Sequence, residues 1–144
     1  MPDENPSIMS HVSIGTNDFD KAVKFYDAVL ATVGASRILD FSEFNAVAYG
    51  KKFPEFWVGA PHDGGNAQAG NGTHFAFIVS SKEAVQAFWD KAIECGAKPD
   101  GEPGERPHYG EAYYGCFVRD LDGHKIEAMY WDMELSPDPV AGHA

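Results

Sequence analysis

Shifting the 144-residue chain by 63 positions lays its first half over its second. His11 falls on His74, Asn17 on Ser80 and Asp20 on Glu83; Phe25 then meets Phe88, Tyr26 meets Trp89, Asp27 meets Asp90 and Leu30 meets Ile93. A repeat constrains the fold more than local propensity does, because both copies must form one unit and neither unit buries its apolar face alone. Two copies in a chain of this length lead to the expectation of one pseudo-symmetric domain over residues 1–144, with modules at about 8–60 and 72–132. Histidines at the same position of both copies point to a site near the pseudo-axis.

Each copy reads as a strand, a helix and three strands. Around His11 the residues alternate, with Val12 and Ile14 on one face and His11 and Ser13 on the other. Asn17 or Asp18 then caps a helix whose apolar stripe is Ala22, Phe25, Tyr26, Val29, Leu30 and Val33, ended by Gly34. Strands are expected near 37–41, 44–49 and 55–59, followed by a Gly- and Asn-rich loop over 61–72. The pattern restarts with a strand at 74–79. Ser80 and Glu83 read as a capping box for a helix burying Val85, Phe88, Trp89, Ala92 and Ile93. A short strand at 97–98, a Gly/Pro-rich loop over 100–110 and strands at 113–119 and 124–130 complete the copy. Helix stripes must be buried against one sheet face, which leaves the other face to enclose something.

With 22 acidic and 11 basic residues, the net charge of −11 disfavours nucleic-acid and anionic-membrane partners, which require basic patches. No signal peptide or transmembrane run is visible, and Cys95 and Cys116 lack metal-type spacing, so a cytoplasmic protein with free thiols is expected. The Pro- and Gly-rich tail, 133–144, is expected to be flexible.

Alternation assigns the candidate site. Ile126, Ala128 and Tyr130 form an apolar face, so Glu127 and Met129 point the other way, together with His11 and His74. Two imidazoles and one carboxylate with open coordination positions suit one catalytic divalent metal, Fe, Mn, Ni or Zn. A lone strand histidine or glutamate is ordinarily a solvated or core residue; the shared face is what carries the metal reading. Trp57, Phe44, Tyr113, Tyr114 and Met129 are candidate pocket walls, with ordinary strand packing as the alternative. Arg119 either faces the pocket or pairs with an acidic neighbour. Cys116, in a buried strand, reads as structural.

His11 in His-Val-Ser-Ile, His74 in Thr-His-Phe-Ala-Phe and the run Phe117-Val118-Arg119-Asp120-Leu121-Asp122-Gly123-His124-Lys125-Ile126-Glu127 resemble the vicinal oxygen chelate superfamily. That superfamily includes glyoxalase I, bleomycin-resistance proteins, fosfomycin-resistance thiol transferases and extradiol dioxygenases. The resemblance spans about residues 8–132, with Leu121 where the motif has proline. It implies an α+β fold: two paired βαβββ modules forming a curled mixed sheet around a cleft, helices on the outer face. His11, His74 and Glu127 map onto the metal ligands, and the metal chelates two neighbouring substrate oxygens as a Lewis acid. A homodimer is also implied, with the site either within one chain or shared between two.

The departures discriminate among members. Aligning the copies sets Val47 against Phe117 and Trp57 against Glu127. Glyoxalase I has a second glutamate at the place of Trp57, and an indole neither ligates nor takes a proton. Extradiol dioxygenases have a tyrosine at Phe117 and a histidine at Gly59, but His108 matches their second-sphere histidine. Fosfomycin transferases surround a phosphonate with basic groups, for which the sparse Lys and Arg give little support. The resemblance thus implies a metal-dependent lyase or dioxygenase acting on a small substrate with vicinal oxygens, with His108 or a nearby tyrosine such as Tyr114 handling protons. The alternative is a non-catalytic protein that sequesters a planar ligand between aromatics, as bleomycin-resistance proteins do.

Overall fold

The structure, a computed structural model, describes residues 7–137. The first copy runs through β1 (Val12–Gly15), α1 (Phe19–Ala31), β2 (Ser36–Phe41), β3 (Ala46–Gly50) and β4 (Phe56–Gly59). The second runs through β5 (His74–Val79), α2 (Lys82–Glu94), β6 (Lys98–Glu105), β7 (Tyr113–Arg119) and β8 (Lys125–Trp131). Asp18 caps α1 by accepting from the Lys21 N–H at 3.2 Å. Ser81 caps α2, accepting from the Ala84 N–H at 3.0 Å, so the expected box of Ser80 with Glu83 is one residue out of phase.

Two separate four-stranded sheets form, ordered β1-β4-β3-β2 and β5-β8-β7-β6. This corrects the expected curled mixed sheet around a cleft. The opening strands β1 and β5 are edge strands bonded only within their own sheets, so among the described residues no strand pairing joins the copies and neither sheet closes. The copies join through side chains instead. Helices α1 and α2 touch, and one core cluster holds Phe25, Tyr26, Val29 and Leu30 together with Val85, Phe88 and Ala92. The helices of the two copies therefore contribute to one shared core. A short sheet covers only part of a helix stripe, and burying one more Phe or Leu gains about 1.5–3 kcal/mol.

A polar clasp fixes this docking. The Tyr26 hydroxyl donates to Asp120 Oδ2 at 2.5 Å, and Asp120 Oδ1 accepts from the backbone N–H groups of Asp122 and His124 at 2.9 Å each. His124 Nε2 lies 2.7 Å from the Gly15 carbonyl oxygen, and the Asn17 N–H donates to Asp122 Oδ1 at 2.9 Å. The turn that ends β7 is thus bolted to the loop between β1 and α1.

Two local expectations fail. The segment expected as a loop over 100–110 is a strand as far as Glu105, followed by a 3-10 turn at Pro107–Tyr109. Pro99 and Pro103 hide it in the sequence, yet β6 is an edge strand with register shifts, where missing N–H groups are tolerated. Phe44 sits in a 3-10 turn, Ser42–Phe44, not in a strand, because Asp40 accepts from the Ser42 backbone and hydroxyl and Asn45 turns left-handed at φ 56°. At the C-terminus, Trp131 Nε1 donates to the Ser136 carbonyl at 2.9 Å, so the tail is anchored that far; residues 138–144, like 1–6, lie outside the described residues. No helix among the described residues is long and apolar enough to cross a membrane.

Burial raises the phenol of Tyr26 well above its ordinary value, and burial followed by carboxylate contacts does the same for Tyr49 and Tyr113. A raised folded value keeps the proton on while the unfolded chain loses it near pH 10, so this stability is complete below about pH 10 and lost as pH rises beyond it. Tyrosinate absorbance is expected to show these three of the six tyrosines titrating only together with unfolding. Smooth titration of all six in the folded protein would contradict the packing.

Candidate functional site

Cross-strand register organises the open face of the second sheet into rows. His74, Lys125, Arg119 and Lys98 fall in one row across β5, β8, β7 and β6; Ala76, Glu127, Phe117 and Gly101 form the next; Ile78, Met129, Gly115 and Gly104 follow. Strand period two places Glu127 beside His74 diagonally. His74 Nε2 lies 3.2 Å from Glu127 Oε1, with the imidazole 46% exposed and the carboxylate only 7%. The Tyr113 hydroxyl donates to the other oxygen, Glu127 Oε2, at 2.5 Å. Gly115 makes this possible, because a β-carbon there would collide with the Tyr113 hydroxyl. Burial and Glu127 keep Tyr113 protonated, hence a donor, and Glu127 is held as an acceptor with one oxygen directed at the imidazole.

Two donors each about 2.1 Å from one ion stand about 3.0–3.4 Å apart. The 3.2 Å separation and the nitrogen–carboxylate donor set therefore fit two ligands of one divalent metal. His11 is not brought to them. It lies on the first copy, edge-on to Trp57 at 6.3 Å, with Nδ1 2.9 Å from the Ser10 hydroxyl and no partner on Nε2 among the described residues. It lines a separate concavity of about 510 Å³ with Trp57, His62 and Asp63. Among the described residues, no three His, Cys, Asp or Glu side chains gather closely enough to hold a metal.

The remaining candidates divide by strand face. Ser13, Trp57 and Ala48 form the row equivalent to Ala76, Glu127 and Phe117, so Trp57 does stand at the place of Glu127. Ala48, rather than Val47, matches Phe117; Val47 faces the core. Met129 shares the open face with Tyr113 and Trp131. Arg119 donates to Asp100 at 3.0 Å and to the Gly123 carbonyl at 3.3 Å. Tyr114 packs on the opposite side, against the main core and under Lys82, away from Glu127. Phe44 is 74% exposed, and Phe41 stacks on Trp57 in its stead, ring planes 3° apart. His108 lies in the turn after β6, its ring 4.2 Å from that of Tyr109, which meets Tyr113 at 5.0 Å. An aromatic chain thus leads from exposed His108 to the residue holding Glu127. Burial pushes the Cys116 thiol up to about 12, as expected for an inert core cysteine.

Two βαβββ copies, each presenting a histidine on its open face, define the class. The chain belongs to the Glyoxalase/Bleomycin resistance protein/Dioxygenase superfamily, whose model matches residues 8–128. A glyoxalase/bleomycin resistance protein from Albidiferax ferrireducens is 33% identical, covering 86% of this chain and 99% of its own, with a TM-score of 0.78. Two more distant structures share the fold at 20% identity. A lactoylglutathione lyase from Agrobacterium tumefaciens is matched over 88% of this chain and 94% of its own at a TM-score of 0.60. A fosfomycin resistance protein from Listeria monocytogenes is matched over 88% of this chain and 92% of its own at 0.61. No curated protein matches.

Proposed function

We propose that the protein is a divalent-metal-dependent enzyme of the glyoxalase/dioxygenase type whose site is completed by two chains, His74 and Glu127 from one and His11 from the other. The buried Glu127 carboxylate, pinned by Tyr113 and turned toward His74, carries this reading. A charge on an open sheet face at 6% exposure contributes nothing to a core and is retained at a cost in desolvation. His11, with an uncommitted Nε2 just before the edge strand β1, supplies the third donor type. Exposed Ile78 on edge strand β5, and Met9 just before β1, give a second copy apolar surface to cover.

The metal, Fe, Mn, Ni or Zn, supplies Lewis-acid or oxygen-activating chemistry toward a substrate with adjacent oxygens. Tyr113 fixes the carboxylate, an orienting contact of the kind that sustains ligand geometry. Phe117, Met129 and Trp131 exclude water from the floor, and His108 moves protons at the mouth. A small substrate and no nucleic-acid or membrane partner fit this site in a cytoplasmic homodimer.

Wild-type protein is expected to take up about one ion per chain in equilibrium dialysis, His74→Ala to lose at least about 100-fold in affinity, and Trp57→Phe to stay within about twofold. Uptake by wild type no greater than by His74→Ala would contradict the reading. A second reading, sequestration of a planar ligand without chemistry, draws on Trp57, which lines the His11 concavity and stacks on Phe41. Ligand binding with no metal uptake would favour it.

A further inference from the structure

The chain carries twice as many acidic as basic residues, yet Lys98, Arg119 and Lys125 share one row on the open face of the second sheet and Arg106 lies over Phe117 of the next row. Arg119 and Lys125 both pair with Asp100, at 3.0 and 3.7 Å. Arg106 differs. It makes no ion pair among the described residues, whereas Arg37 holds Asp27 and Asp40 and Arg119 holds Asp100. Its guanidinium is nonetheless seated. Nη2 donates to the Glu102 carbonyl at 2.7 Å and Nη1 to that of Glu105 at 3.4 Å, and the group lies 5.9 Å from the centre of the Phe117 ring. Gly101 and Gly104 keep the space clear: a β-carbon at either would stand 3.2 or 3.3 Å from its nitrogens. Phe117 in turn touches the His74 ring at 6.0 Å and pairs with Glu127. A cation with spare N–H donors is thus held, unpaired, one side chain away from the His74–Glu127 pair.

We propose that Arg106 binds the anionic end of the substrate, and that this end is a carboxylate. The inference deepens the metal-site reading and rests on it for where the rest of the substrate lies. A guanidinium with two donors committed to carbonyls still offers a planar fork, which matches a carboxylate by two parallel hydrogen bonds. Glu127 already places a carboxylate on this face, so a monoanion meets less like-charge repulsion there than a phosphonate dianion does. The contact with the Phe117 ring and the two carbonyl contacts position the fork before the ligand arrives, which limits the ordering cost of binding.

Benzoate, neutral benzamide and phenylphosphonate, titrated into the metal-free full-length protein at low salt and followed by NMR shifts, test this without any metal. Benzoate is expected to bind at least about tenfold more tightly than benzamide and ahead of phenylphosphonate. Arg106→Gln is expected to abolish that preference, Arg106→Lys to retain part of it, and Arg37→Gln to leave it intact. Equal binding of benzoate and benzamide, no benzoate binding, or an equal loss in Arg37→Gln would overturn the proposal; phenylphosphonate binding more tightly would overturn the carboxylate. Metal uptake by Arg106→Gln, expected to match wild type, reports on the metal reading separately.

Discussion

Glu127→Gln is expected to weaken divalent-metal affinity by at least about 100-fold while leaving the apo protein as stable as wild type, or up to about 1 kcal/mol more stable. The two effects have opposite sign for one reason. The amide still accepts the Tyr113 hydroxyl, so no buried donor is orphaned, and a carboxylate at 6% exposure no longer has to be desolvated. What is lost is the anionic oxygen 3.2 Å from His74. Equilibrium dialysis and denaturant unfolding measure the two sides independently. A large loss of stability with unchanged metal affinity would make Glu127 a structural residue.

Asp120→Ala is expected to have the largest effect on stability, about 3 kcal/mol by denaturant unfolding. It strips three hydrogen bonds at once and strands the Tyr26 hydroxyl in the core between the copies. Tyr26→Phe removes only one of the three and is expected to cost about 1–2 kcal/mol. Burial raises the Asp120 carboxyl above its ordinary value, so the stability linked to its proton is complete below about pH 4 and declines as pH rises through the raised value. Loss of the clasp is expected to loosen the halves without unfolding either sheet's own ladder. Hydrogen exchange concentrated at α1 and at the β7–β8 turn would register that.

The repeat was legible because hydrophobic period and capping chemistry are local. Both copies form the strand–helix–three-strand unit, and register across three strands puts Trp57 at the place of Glu127. How the two sheets sit was not legible. A period of two says which face of β1 or β5 is apolar, but it does not say whether a free strand edge pairs with the other copy. His11 and His74 therefore share a face type without sharing a place. The choice between Tyr113 and Tyr114 was available: Tyr113 has the same parity as Phe117, which opposes Glu127, while Tyr114 has the parity of the core residue Cys116. Phe44 was also within reach, since Asp40, Ser42 and Asn45 make a turn before the third strand begins. Strand β6 was not, because two prolines and two glycines carry a loop's composition and only its edge position makes them compatible with pairing.

The claim that two chains share the site is tested most directly by complementation. Neither His11→Ala nor His74→Ala is expected to bind metal when prepared alone. Unfolded together in equal amounts and refolded, they would form mixed dimers as roughly half the population, each with one site holding His11 from one chain and His74 with Glu127 from the other. Metal uptake should then return to about a quarter of the wild-type level. No recovery on mixing, or full binding by either variant alone, would contradict a site shared between two chains.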